Sequence, residues 1–300
     1  MSVEVKDLVV ADLKSTKDWV GQQDDVKGVL DTVKSSSHQF AYTAWANNLI
    51  IAVLASWKNP MHPYCTYIKI VHKKNRYDFV VVKSLLDRLT RNKIVYPIQT
   101  SLWEPSHVLR ASYEAYGFKE VRKTYMPSLY VEQLAASHIN ELEKSSILSL
   151  REVKENDALR HQLIELVKIN YERTHMINPV ATLGVKTWEG LIFAEDLIEN
   201  GSFIAVDKMD DRLLAYSFLH HSTSQGTVEL GWCGLNNNEE VYLLANLVKC
   251  QINFAKQAGY QKMEGEFDTT DPYSMQIMKY FPFKSTEAWV TYQLKEPPAI

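Results

Sequence analysis

The feature that most constrains this chain is that it spells the same order of elements twice. Two strand-like runs, Phe40 to Trp45 and Asn48 to Trp57, are joined by a short turn. Ser202 to Asp207 and Arg212 to His221 repeat the event, with Phe40 matching Phe203 and Ala52 matching Ala215 at one constant spacing. A third strand follows in each half, Tyr64 to Val71 and Thr227 to Gly234. Next comes an amphipathic helix, Asp78 to Arg91 and Glu239 to Gly259, in which Leu85-Leu86 fall against Leu247-Val248. A further strand (Ile94 to Leu102, Gln261 to Phe267) and a short helix complete each series. Both short helices stop at an aromatic break. Gly117 can take the left-handed conformation that closes a helix, whereas Pro282 ends one by removing a donor. A register held this long marks an internal duplication.

The expected architecture is therefore α/β, with two domains, each a mixed, mostly antiparallel sheet flanked by helices. Residues 1–131 form the first domain, the polar helix-prone stretch 132–146 the connector, and 147–300 the second domain. The second domain opens with a strand, Ile147 to Val153, and a long helix, Asn156 to His175. A chain of 300 residues suits two domains. Its net charge of −3 argues against a dedicated nucleic-acid binder, which needs a strongly basic face. The most apolar run, Leu49 to Ala55, is far short of the roughly 18 residues that span a bilayer. The charged N-terminal stretch does not read as a signal peptide. Three scattered cysteines, Cys65, Cys233 and Cys250, read as reduced thiols, which points to the cytoplasm.

The string Tyr113-Glu114-Ala115-Tyr116-Gly117-Phe118, with the repeated element order around it, resembles the GCN5-related N-acetyltransferases. The resemblance covers nearly the whole chain, as a tandem pair of the kind seen in mycothiol synthase. It implies acetyl-CoA as cosubstrate, no metal, and an amine of a small molecule or peptide as acceptor. A homodimer is a possible assembly. In that family the position of Tyr113 often protonates the departing coenzyme A thiolate, and Ser106 stands where asparagine is usual. The alternative is a non-catalytic tandem that binds a ligand or protein, because the glycine-rich pyrophosphate motif is missing. The aligned starts of the central helices, Tyr77 to Val82 and Glu239 to Leu244, carry no glycine.

Candidate residues follow from these alignments. Lys73, Lys74, Asn75 and Arg76 bring cations to the start of the first central helix, where phosphates of coenzyme A would lie; a solvated turn is the plain alternative. Glu239 and Glu240 put acids at the second. Glu229 sits where several family members keep a glutamate base, or else faces solvent. Regular alternation puts it on one face with Gly231 and Cys233. Gly231 and Gly234 would permit a splayed strand, with backbone near Cys233, Gly234 and Leu235 holding the thioester carbonyl. Cys233 itself reads as a small buried residue. Arg173 and His175 border the expected acceptor groove or cap the helix they end. His220 and His221 alternate faces and so cannot chelate one metal together.

Overall fold

In the computed structural model the described residues are 3–9, 12–13, 16, 19, 26–34, 38–73, 79–133, 144–236 and 241–296. The chain divides into two compact units. The first is Met1–Lys123 with Ile177–Ala181 and Glu287–Ile300; the second is Thr124–Met176 with Thr182–Thr286. The stretch read as a connector lies mostly outside the described residues, at 134–143.

The first unit contains β1 (Glu4–Asp7), α1 (Val26–Lys34), β2 (Phe40–Ala46), β3 (Leu49–Trp57), β4 (Thr66–His72), α2 (Phe79–Thr90), β5 (Ile98–Trp103), α3 (His107–Tyr116) and most of β6 (Lys119–Tyr125). Next along the chain come β7 (Ser128–Tyr130), β8 (Ser145–Ser149), α4 (Leu150–Lys154), α5 (Asp157–Thr174), α6 (Val185–Ile192) and β9 (Phe203–Asp207). These lead to β10 (Leu213–His221), β11 (Thr227–Leu235), α7 (Tyr242–Gln257), β12 (Lys262–Gly265), β13 (Phe267–Asp268), α8 (Pro272–Tyr280) and β14 (Ala288–Leu294).

The repeat shows in the sheets. The first unit is ordered β1-β2-β3-β4-β5-β14-β6 and the second β7-β12-β11-β10-β9-β8. In each, one parallel pair, β4 with β5 and β11 with β12, sits among antiparallel neighbours. The closing strands are exchanged. Strand β14, from the end of the chain, lies antiparallel to β5 from Trp289↔Trp103 to Leu294↔Ile98. Strand β7, from the first half of the sequence, lies beside β12 from Lys262↔Tyr130 to Glu264↔Ser128. Thr124 and Tyr125 at the end of β6 belong to the second unit, where they pair with β13.

Local chemistry explains the boundaries. The β2–β3 hairpin turns on Asn47 and Asn48, both left-handed at φ 50 and 59, as a two-residue hairpin loop demands. Helix α3 ends at Gly117 with φ 111, its N–H bonding Glu114 O, so that Phe118 enters fully buried. The strand expected over Ile147 to Val153 is shorter than the sequence suggests. Ser149 donates its backbone N–H to Glu152 Oε2 at 2.7 Å, a capping contact that turns Leu150–Lys154 into helix α4. Each sheet packs its own core. Leu85, Leu86 and Leu89 of α2 are fully buried in the first unit, and Leu244 and Leu247 of α7 in the second. Each such side chain contributes about 1.5–3 kcal/mol. In the first unit, Asn178 is held by Tyr67 Oη at 2.8 Å and by the buried thiol of Cys65 at 3.2 Å.

Candidate active site

A parallel pair that parts along its length leaves strand edge without a strand partner, and both units have one. In the first, β4 and β5 pair only at Thr66↔Ile98 and Tyr67↔Gln99 before separating. The gap is then bridged: Lys69 on β4 donates from Nζ to Ser101 O on β5 at 2.6 Å. Its ammonium also lies 4.8 Å from the ring centre of Trp289 on β14. Strand β4 itself is regular against β3, from Ala52↔His72 to Trp57↔Tyr67.

The second unit differs at the corresponding place. Strands β11 and β12 pair from Thr227↔Lys262 to Leu230↔Gly265, where β12 ends and β11 runs on to Leu235. At that point β11 carries a bulge. Ser217 pairs with Cys233 but Leu219 pairs with Leu230, so Gly231 and Trp232 together oppose Phe218. A bulge re-aims side chains and shifts the alternation by one. Hence Glu229, paired with His220, and Cys233, paired with Ser217, lie on opposite faces of the sheet. The shared face expected for Glu229 and Cys233 is corrected by this extra residue.

On the Glu229 face a group assembles that no motif announced. The imidazole of His220 lies over Gly231: a Cβ built there would sit 2.5 Å from both Nε2 and Cδ2 of the ring. Only glycine fits beneath it. The other ring nitrogen, Nδ1, is 3.3 Å from Asp196 Oδ2. Asp196 is placed by the short bridge of its neighbour Leu197 to His220 and by His221 N–H donating to Asp196 O at 2.8 Å. His221 faces the other way, with Nδ1 3.3 Å from Tyr260 Oη.

On the opposite face the thiol of Cys233 is half-buried, and burial first, then the charge of Asp271, pushes its pKa up. Asp271 is the N-cap of α8 and accepts the N–H of Tyr273 at 2.9 Å. Burial raises the Asp271 pKa more than these helix bonds lower it. Asp271 precedes Met278 by the same interval that separates Ser106, the N-cap of α3, from Tyr113. That interval was the available signal for Asp271. Gly234 pairs with Tyr216, and Leu235 O accepts Asn170 Nδ2 at 3.1 Å, tying the end of β11 to α5.

The remaining expected residues lie as follows. Tyr113 is 1% exposed in the core of the first unit, its ring edge-on to Phe118 at 5.0 Å. It therefore belongs to a different unit from Glu229. Lys73 follows β4 and donates its N–H to Ile51 O at 2.8 Å. Lys74, Asn75 and Arg76, like Glu239 and Glu240, lie outside the described residues. Arg173 is exposed near the end of α5. His175 caps that helix, with Nδ1 2.8 Å from Tyr171 O and its ring stacked on Tyr171 at 3.8 Å. Among the described residues no group of three or more His, Cys, Asp or Glu could hold a metal ion, and no helix is long and apolar enough to cross a membrane.

No protein-family profile matches the sequence, and no curated protein does. Solved structures match along its length. The crystal structure of a GCN5-related N-acetyltransferase from Sphaerobacter thermophilus aligns with TM-score 0.65 and 12% identity, over 99% of this chain and 97% of that one. A tandem GNAT protein from the clavulanic acid biosynthesis pathway aligns over 100% of both chains, with TM-score 0.58 and 12% identity. A GCN5-related glucosamine N-acetyltransferase region of a fungal multi-domain GH3 beta-N-acetylglucosaminidase aligns at 0.61 and 11%, over 98% of this chain and 38% of that one. At such identities the likeness is one of fold, and the fold is that of the GCN5-related N-acetyltransferases.

Proposed function

We propose that the protein is an acetyl-CoA-dependent N-acetyltransferase whose working site lies in the second unit. The observation that carries this reading is the coincidence of three features on β11. The strand parts from β12 after Leu230, bulges at Gly231–Trp232, and is overlaid there by His220. A parted strand fits the amide-bearing pantetheine arm of coenzyme A, which can hydrogen-bond to the edge of Cys233, Gly234 and Leu235 as a further strand would. Bound acetyl-CoA would supply an activated acetyl thioester.

The chain's own residues account for the proton traffic. An amine must lose its proton before it can attack, and we assign that base role to His220, whose Nε2 lies over the bulge. Asp196 beside Nδ1 orients the ring and stabilises the charge it gains. Glu229, the cross-strand partner of His220, adds a negative charge to the same face. On the opposite face Asp271, whose pKa burial raises, lies near enough to Cys233 for its charge to act on that thiol. The first unit, its gap bridged by Lys69, we read as the non-catalytic partner. Lys73 and Tyr113 would then serve that unit's structure. The acceptor is an amine of a small molecule or peptide, and the duplication is of the mycothiol-synthase kind.

Calorimetry with acetyl-CoA, together with release of free thiol across a panel of amines, tests this. His220→Gln should leave acetyl-CoA affinity unchanged and lower turnover by roughly 10²–10⁴-fold, the scale for losing a positioned base. Absence of acetyl-CoA binding, or full turnover by His220→Gln, would overturn the reading.

A further inference from the structure

Beside the bulge the second unit carries an aromatic cluster that acid–base chemistry does not require. Tyr171 of α5 has ring centres 4.9 Å from Trp232 and 5.4 Å from Trp188 of α6, and the two indoles are 6.5 Å apart. Trp232 is the second bulge residue, so the cluster begins one residue from Gly231 and the His220 ring above it. Trp232 and Tyr171 are both only partly buried, which distinguishes them from core aromatics. Trp188 is 1% exposed, yet its indole Nε1 has no hydrogen-bond partner among the described residues. Burying an unpaired donor is unfavourable, so an acceptor atom on an incoming molecule would be welcome there.

The adjoining surface is acidic. Glu229 lies directly beside Glu264 in the β11–β12 pair, and like charges on neighbouring strands destabilise each other. Lys262 pairs with Glu264, while Glu229 has no ion-pair partner among the described residues. Asp196 adds a third carboxylate beside His220. A cation arriving next to Glu229 would relieve the repulsion, and a flat ring attached to it would stack on Trp232 and Tyr171.

We propose that the acceptor is a cationic amine carrying an aromatic body, its ammonium directed to Glu229 and its ring to Trp232 and Tyr171. This inference rests on the acetyltransferase reading, which supplies the chemistry at His220. Three probes dissect it on the full chain by indole fluorescence and calorimetry: 2-phenylethylamine, hexylamine, and 2-phenylethanol. The first should bind at least ten-fold more tightly than either of the others, because only it has both ring and charge. Glu229→Gln should erase its advantage over 2-phenylethanol. Trp232→Leu should erase its advantage over hexylamine, and Trp232→Phe should restore it, which separates recognition from folding. Equal binding of 2-phenylethylamine and hexylamine, or no binding of any probe by protein that binds acetyl-CoA, would overturn the inference and leave the acetyltransferase reading intact. Selective binding of 2-phenylethylamine without acetyl-CoA binding would overturn that reading and leave the aromatic-cation site standing.

Discussion

Substituting Gly231 by alanine adds one methyl group at the point where the site is most tightly built. The new Cβ would meet Nε2 and Cδ2 of His220 at 2.5 Å and Phe218 Cβ at 3.2 Å. Non-bonded carbon contacts rest at about 3.5–4.0 Å, so the imidazole must withdraw by roughly 1 Å. Phe218 Cβ is fixed by its backbone and gives little. The ring's withdrawal also strains its 3.3 Å contact with Asp196. Overpacking of this kind costs about 1–3 kcal/mol. For a unit of this size that lowers Tm by about 2–4 °C per kcal/mol. A base displaced by about 1 Å loses roughly 10²-fold in turnover. The decisive assay is a double-mutant cycle on stability with His220→Ala. Once the ring is gone, Gly231→Ala should cost little, giving a coupling of more than about 1 kcal/mol. An equal cost in both backgrounds would show that the ring does not lie over Gly231, and the account of the bulge would fall.

Asp271→Asn keeps an effective helix N-cap but removes a carboxyl whose pKa folding raises above its ordinary 3.8. The folded state holds that proton more tightly than the unfolded one, so wild-type stability falls as pH rises from about 3.8 through the raised value and stays lower above it. Thermal melts from pH 3 to 8 should show the variant gaining on wild type with rising pH and losing the gain in acid; a pH-independent difference would refute the assignment. Lys69→Met should destabilise the first unit by about 1–2 kcal/mol, the loss of a charge-assisted bond to Ser101 O, without altering acetyl-CoA affinity by calorimetry. Tyr113→Phe should change stability by no more than about 0.5–1.5 kcal/mol and leave turnover intact. A large fall in turnover would return the proton-donor role to the first unit.

The fold was legible where periodicity carries it. The Phe40 to Trp57 hairpin, the two central helices and the stop at Gly117 follow from alternation, amphipathic spacing and backbone freedom. The exchange of β7 and β14 was not legible, because strand patterning records which face is buried and not which neighbour is paired. Leu150 to Val153 read as strand because the Ser149–Glu152 cap works over three residues, too short a span to disturb an apolar run. In the site, Glu229 and the glycines of β11 were visible from alignment, but the bulge that separates Glu229 from Cys233 depends on pairing with β10. His220 was visible only as one of two adjacent histidines. Its partner Asp196 lies on the segment after α6, brought in by tertiary structure alone.

Hydrogen–deuterium exchange with and without acetyl-CoA tests the central claim most directly, since a ligand paired to a strand edge protects the amides it engages. The account predicts slowed exchange in peptides covering Gly231 to Asn236 of the second unit, with no change over Thr66 to His72 of the first. Protection over Thr66 to His72, or none in either strand at saturating acetyl-CoA, would contradict it.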